Sequence, residues 1–161
     1  MIVVVQRVAE ATVYAEGRLQ GRIGQGLLLY LAIDKTDVEA PGVVSDNLVQ
    51  DMACRIVRQR LFRDERGHFG KSVQDIGGSV LVVSQFTLPG RTRQGTRPGF
   101  EDAAPSAIAE RGYEAFCDAL RALQVPVQTG RFAADMQVHS INDGPVTLLM
   151  GSRAAPAPWS L

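Results

Sequence analysis

An α+β fold, a mostly antiparallel, barrel-like β-sheet with two principal helices packed outside it, follows from three features of the sequence. Residues 27–33 and 79–86 are continuous apolar runs without a polar face, as suits strands buried on both sides. Residues 41–58 and 105–123 repeat apolar side chains at helical spacing. β-Branched runs punctuated by glycine fill both ends of the chain. With 161 residues, 45% of them hydrophobic, the chain can bury one sizeable core. A single domain over 1–150 and a Pro- and Ala-rich tail over 151–161 are therefore expected, the tail loosely held unless Trp159 docks on the body.

The elements follow in order. β-Branched residues at 3–5 and 12–14 predict the first strands of a small meander, and Gly17 turns the chain back. Gly24 and Gly26 lead into the strand over 27–33. From Pro41 to about Arg58, Val44, Leu48, Met52 and Ile56 recur every four residues, with Asp51 and Arg55 spaced for an ion pair, so a helix with one core face is expected. Residues 60–63 read as a short strand, 64–67 as a turn, and Gly77-Gly78 as the break before the strand over 79–86. Residues 89–105 have no period and carry Gly90, Gly95, Pro98 and Gly99, the mark of a long loop, and such loops in compact domains usually serve function. Pro105 opens the second helix, with Ile108, Phe116, Leu120 and Leu123 on its apolar face. Closing strands are predicted over 125–129, 136–142 and 146–150.

Composition narrows the possible functions. The formal net charge is zero, so the molecule exerts no long-range pull on a polyanion, and any nucleic-acid contact must come from a local patch. Of the 17 basic residues only Lys35 and Lys71 are lysines; the other 15 are arginines, a bias that either phosphate recognition or genomic base composition produces. Cys54 and Cys117 lack metal-like spacing and are expected as buried, reduced thiols in helices. The apolar start is stopped by Gln6 and Arg7, and no run reaches membrane length, so a soluble, cytoplasmic protein is expected.

Candidate chemistry concentrates in two segments, Ser84-Gln85-Phe86-Thr87-Leu88 and Asn142-Asp143-Gly144-Pro145-Val146-Thr147. Each sets polar or backbone-special residues against an apolar strand, where a rigid edge can expose working groups. Gly144 allows close backbone approach, and a Gly-Pro bond admits the cis form, so the pair either presents carbonyl oxygens or makes an ordinary tight turn between two strands. Thr87 is either a nucleophile or a strand-closing hydroxyl; no base is evident to activate it. Ser84 and Gln85 suit hydrogen-bond donation around a carbonyl oxygen. His68 and His139 are isolated, without a Ser elbow or a zinc motif, and read as structural or surface groups. No metal and no cofactor is expected.

The two segments, with Thr92-Arg93-Gln94-Gly95-Thr96-Arg97-Pro98-Gly99-Phe100, Thr129-Gly130-Arg131-Phe132-Ala133-Ala134-Asp135-Met136, Val5-Gln6-Arg7-Val8, Gly24-Gln25-Gly26-Leu27 and Val80-Leu81-Val82-Val83, resemble the D-aminoacyl-tRNA deacylase family, once called D-tyrosyl-tRNA deacylases. The resemblance runs from Met1 to about Met150. It implies a homodimer that hydrolyses the ester between a D-amino acid, or glycine, and the terminal ribose of tRNA. It also implies a cis Gly144-Pro145 that enters the partner's active site and excludes an L side chain. Ser84, Gln85, Phe86 and Thr87 would line the pocket for the 3′ terminal adenosine and the scissile ester, with Phe132, Ala133 and Met136 beside them. Arg7 would brace the Gly-Pro segment across the dimer, or else serve in a structural salt bridge. Backbone N–H groups near Phe86 and Thr87 would hold the oxyanion, while the substrate's 2′-hydroxyl assists water.

One departure is visible. Relatives carry Met-Asn after the Asp-x-x-Gly turn, whereas this chain has His68-Phe69-Gly70-Lys71 before Ser72, which puts in doubt any role carried over to this loop. Two alternatives stand beside the deacylase: a noncatalytic module that binds the tRNA acceptor end, and a related deacylase with a trans Gly-Pro that acts on L-aminoacyl-tRNA.

Overall fold

The apolar run at 27–33 becomes β3 (Gly26–Ala32), the centre of a six-stranded sheet in the order β10-β1-β3-β8-β9. The computed structural model describes residues 1–39, 42–92 and 96–152; Pro41, the segment 93–95 and the tail beyond 152 with Trp159 lie outside the described residues. The neighbours of β3 are β1 (Ile2–Ala15), antiparallel, and β8 (Ser79–Ser84), parallel. β2 (Arg18–Ile23) pairs the second half of β1, β9 (Val127–Thr129) runs parallel to β8, and β10 (Met136–Gly151) lies along the whole of β1.

The barrel-like sheet with two outer helices is as expected, and its parallel pairs have a simple cause. Two long crossovers, each containing a helix, return the chain in the same direction before β8 and before β9. The sheet nearly closes where β2 curls over β8 and β9. A Cβ on Gly21 would stand 3.0 Å from both Leu81 Cδ1 and the Thr129 carbonyl, so only glycine lets the strands come this near.

Burial on both faces of β3 and β8 explains their unbroken hydrophobicity. Leu27, Leu29 and Leu31, with Val80 and Val82, face a core shared with Met52, Ile56, Phe116 and Leu120 of the helices. Leu28, Leu81 and Val83 point the other way, into the barrel, against Val8, Val13 and Ile23. Each such leucine contributes about 1.5–3 kcal/mol by leaving water.

Several boundaries differ from the sequence expectation. Residues 3–5 and 12–14 belong to one strand, β1, and its hairpin to β2 turns through Glu16 and Gly17, both at positive φ. The first helix, α1 (Asp46–Val57), starts five residues late because Val43–Val44 is drawn into a two-stranded ribbon, β5, against β4 (Val38–Glu39). Its Asp51–Arg55 pair forms at 3.6 Å. Residues 60–63 yield only β6 (Phe62–Arg63), paired with β7 (Phe69–Lys71). The second helix, α2 (Ser106–Ala122), follows Pro105 as expected. Cys117 is buried but Cys54 is only partly so, and both are free thiols.

The largest difference concerns the last strands. Residues 136–142 and 146–150 are one element, β10, and Gly144-Pro145 is not a turn between two strands. Thr147 pairs with Gln6 and Asn142 with Val8, so residues 143–146 bulge out opposite the single residue Arg7.

Candidate active site

β8 ends at Ser84, two residues earlier than expected, because the chain folds into consecutive turns. The Gln85 N–H still bonds the Leu31 carbonyl at 2.8 Å; then the Leu88 N–H reaches the Gln85 carbonyl and the Gly90 N–H the Thr87 carbonyl. Phe86 and Thr87 sit at the centre of the first turn, where central amides have no partner within the turn itself. Among the described residues no protein acceptor takes either N–H. The ring of Phe86 is 60% exposed and meets Phe100 edge-on at 5.4 Å.

Ser84, Gln85 and Phe86 form one wall of a cavity of about 620 Å³. Phe132, Ala133 and Met136 line the same cavity. Phe132 is held by packing on Tyr113, Ala133 adopts φ +56°, and Met136 covers Gly130, where a Cβ would come within 2.7 Å of its sulfur. A non-glycine residue at positive φ beside a cavity is a common sign of a working site.

Sequence reasoning missed the third wall, Ala103, Ala104, Ser106 and Ala109, which comes from the long loop and the start of α2. Alanine carries no pattern to read; its contribution here is the space it leaves. Asp135 was also missed and, among the described residues, is the only ionisable side chain in the lining.

Thr87 does not line the cavity. Its hydroxyl accepts a 2.6 Å hydrogen bond from the Gln85 amide, which is not a base. Neither histidine lines the cavity; both are exposed, and His139 packs edge-on against Tyr14 at 5.8 Å. Behind Phe132, burial raises the Tyr113 hydroxyl above the usual tyrosine range and pushes the Cys117 thiol up to about 12, so neither supplies an anion at neutral pH. Among the described residues no three His, Cys, Asp or Glu side chains gather as a metal site needs.

Arg7, Gly144 and Pro145 form a second group away from the cavity. Met136 and Gly144 are eight residues apart on one strand, about 26 Å if fully extended. Arg7 is 3% exposed and spends its guanidinium on the bulge. Its Nε–H faces Asp143 Oδ2 at 2.9 Å and its Nη1–H donates to the Leu61 carbonyl at 2.6 Å. The Phe69 ring lies 5.6 Å from the guanidinium carbon. Asn142 Nδ2 ties off the bulge by donating to the carbonyls of Arg7 and Val146. The Gly144-Pro145 peptide is cis, Gly144 has φ +117°, and both residues are exposed. Arg7 thus meets the Gly-Pro segment within its own chain, as part of a salt bridge.

Comparison with known proteins gives consistent matches. The family described as D-Tyr-tRNA(Tyr) deacylase matches residues 4–151. A D-aminoacyl-tRNA deacylase of Ruegeria pomeroyi is 49% identical over 150 residues, 93% of this chain and 99% of that protein. One of Aromatoleum aromaticum is 46% identical over 148 residues, 92% of this chain and 93% of that protein. Among solved structures, a c-Myc DNA unwinding element binding protein superposes with a TM-score of 0.84 at 38% identity, covering 96% of this chain and all of that one. A probable eukaryotic D-amino acid tRNA deacylase superposes at 0.78 over 92% of this chain and 97% of its own, a likeness of fold at 15% identity.

Proposed function

Because the chain belongs to the D-Tyr-tRNA(Tyr) deacylase family, we propose that the cavity between the Ser84–Phe86 turn and Phe132–Met136 receives the 3′ terminal adenosine and its aminoacyl ester, and that Gly144-Pro145 of a second copy completes it. The chain hydrolyses D-aminoacyl-tRNA to free amino acid and tRNA, and so proofreads the chirality of charged tRNA. Family membership decides for hydrolysis over mere binding of the acceptor end. An aminoacyl-tRNA substrate supports a cytoplasmic location for this work.

One observation carries the site: the turn amides of Phe86 and Thr87 have no protein acceptor among the described residues, and Phe86 lines the cavity. Donors fixed in advance are suited to the oxyanion of ester hydrolysis and need no reorganisation as charge develops. Among the described residues no side chain is placed to take a proton from Thr87, which favours water as the nucleophile with the substrate's 2′-hydroxyl assisting it. Phe132 and Met136 hold the base against apolar surface. Gln85 and Ser84 fix the turn and the ester.

Homodimerisation follows from the separation of the two groups. Gly144 and Pro145 protrude from β10, which among the described residues pairs only with β1, and Leu148 and Leu149 beside them are 37% and 40% exposed. A two-fold contact through this edge would bring each bulge to the other subunit's cavity. Exposed backbone of Gly144-Pro145 then stands against the substrate's α-carbon and leaves no room for an L side chain. A D side chain points away, and glycine has none, so glycyl-tRNA is also a substrate.

Mixed dimers test this. Ala109→Phe fills the cavity and Gly144→Ala alters the bulge, so each variant alone loses activity. Mixed and re-equilibrated, they regain about a quarter of wild-type activity if the site is shared between subunits, since half the dimers are mixed and each has one intact site. No recovery places the whole site in one chain.

A further inference from the structure

Phe69 is left unexplained by the site as described. It is 60% exposed, yet it is not loose: β6 and β7 hold it in register opposite Arg63, and the Asp64 carboxylate accepts from the Arg66 and His68 N–H groups within the connecting turn. The Asp64 N–H also bonds the His68 carbonyl at 2.8 Å. This ribbon pairs with no other strand among the described residues. What it does touch is Arg7, and it does so twice, through the Leu61 carbonyl just before β6 and through the Phe69 ring.

We propose that Phe69 is a positioning residue for the chirality-selecting segment: its ring covers the Arg7 guanidinium, and Arg7 in turn fixes Asp143 and Gly144. This rests on the role given above to Gly144-Pro145. The edge of the guanidinium is used by Asp143 and Leu61, and a Cβ on Gly144 would lie 2.7 Å from Nη2. The flat face of the cation is left to the Phe69 ring. A ring there attracts the charge through its quadrupole and keeps water from the Arg7–Asp143 pair, whose carboxylate is itself 47% exposed. Removing the ring lets water in, and the bulge that carries Gly144-Pro145 gains freedom at the one place where fractions of an ångström decide between D and L substrates.

The experiment compares Phe69→Leu and Phe69→Tyr with the wild type on matched D- and L-aminoacyl-tRNA, at two protein concentrations. Phe69→Leu keeps bulk without a π face; Phe69→Tyr restores the face. The expected result is a fall in kcat for the D ester of about 3- to 10-fold in Phe69→Leu, with KM little changed and the D-to-L ratio lowered, and recovery in Phe69→Tyr. Unchanged kcat and ratio in Phe69→Leu would overturn the proposal, as would equal losses in both variants. A loss that disappears at the higher concentration would also overturn it, because Phe69 would then act as a subunit contact. Gly144→Ala is run in parallel. If it too leaves the ratio unchanged, the fault lies with the role of Gly144-Pro145; if it alone lowers the ratio, the fault lies with Phe69.

Discussion

Arg7 and Asp143 face each other across the widest irregularity in the sheet, with one residue of β1 set against four of β10 and a 2.9 Å contact between Nε and Oδ2. The arginine is buried and the aspartate half exposed, so the pair fixes the bulge while leaving Gly144 and Pro145 outside. Asp143→Ala leaves the Arg7 charge with only the Leu61 and Asp143 carbonyls. It should lower stability by about 1–2 kcal/mol, less than for a fully buried pair, and lower the D-to-L ratio. Urea melts and paired deacylation assays check both. Arg7→Lys should not rescue, because one ammonium cannot reproduce the fork.

Gly144→Ala should be costly to folding as well as to activity. In the structure Gly144 has φ +117°, and a Cβ would meet Arg7 Nη2 at 2.7 Å and Val146 Cγ2 at 2.9 Å. A loss of about 1–3 kcal/mol is expected, read as a lower urea midpoint. A variant as stable as the wild type would show that the bulge yields easily.

Thr87→Ala should keep activity within about tenfold of wild type, and no acyl-enzyme should be trapped. Its hydroxyl is paired with Gln85, away from any base. Asp135→Asn should behave likewise. By contrast, tRNA ending in 2′-deoxyadenosine should lose more than about a hundredfold, because the assisting hydroxyl is gone. The reverse pattern would assign the proton transfer to the protein.

Ala109→Phe should raise KM, or abolish activity, without a matching drop in Tm. Ala109 borders the 620 Å³ cavity, so the added ring has space to enter. Overpacking a filled core would instead cost about 1–3 kcal/mol. Circular dichroism melts separate the two.

Cys117 should resist alkylation in the folded protein at pH 8.5, because burial keeps its thiol protonated up to about 12. From about 9 the unfolded thiol has lost its proton and the folded one has not. Stability therefore falls as pH rises between about 9 and 12, at up to about 1.4 kcal/mol per pH unit. Cys117→Ala should flatten this alkaline decline in urea melts, and an unchanged slope would count against the buried thiol as its source.

The class of fold, both helices, the two central strands and the family were legible in the chain, because these depend on apolar periodicity and on motifs contiguous along it. Unbroken apolar runs such as 27–33 leave a strand no choice but burial on both faces. The segment Ser84-Gln85-Phe86-Thr87-Leu88 was legible as a working segment, though as the end of a strand and not as a turn, and the cis form of Gly144-Pro145 followed only from the family resemblance. How distant residues meet was not legible and came from three-dimensional packing. That 136–142 and 146–150 are one strand depends on β1, at the other end of the chain, offering a continuous partner on both sides of Arg7. The alanine wall could not be read, since a cavity is defined by missing atoms and alanine is silent in any pattern. Phe69 and Arg7 come together through a ribbon whose strands are two and three residues long, too short to announce themselves. Local sequence sets the conformation each segment prefers, but a cavity and a brace are relations between segments, fixed only when the core closes and non-local contacts repay the entropy of bringing them together.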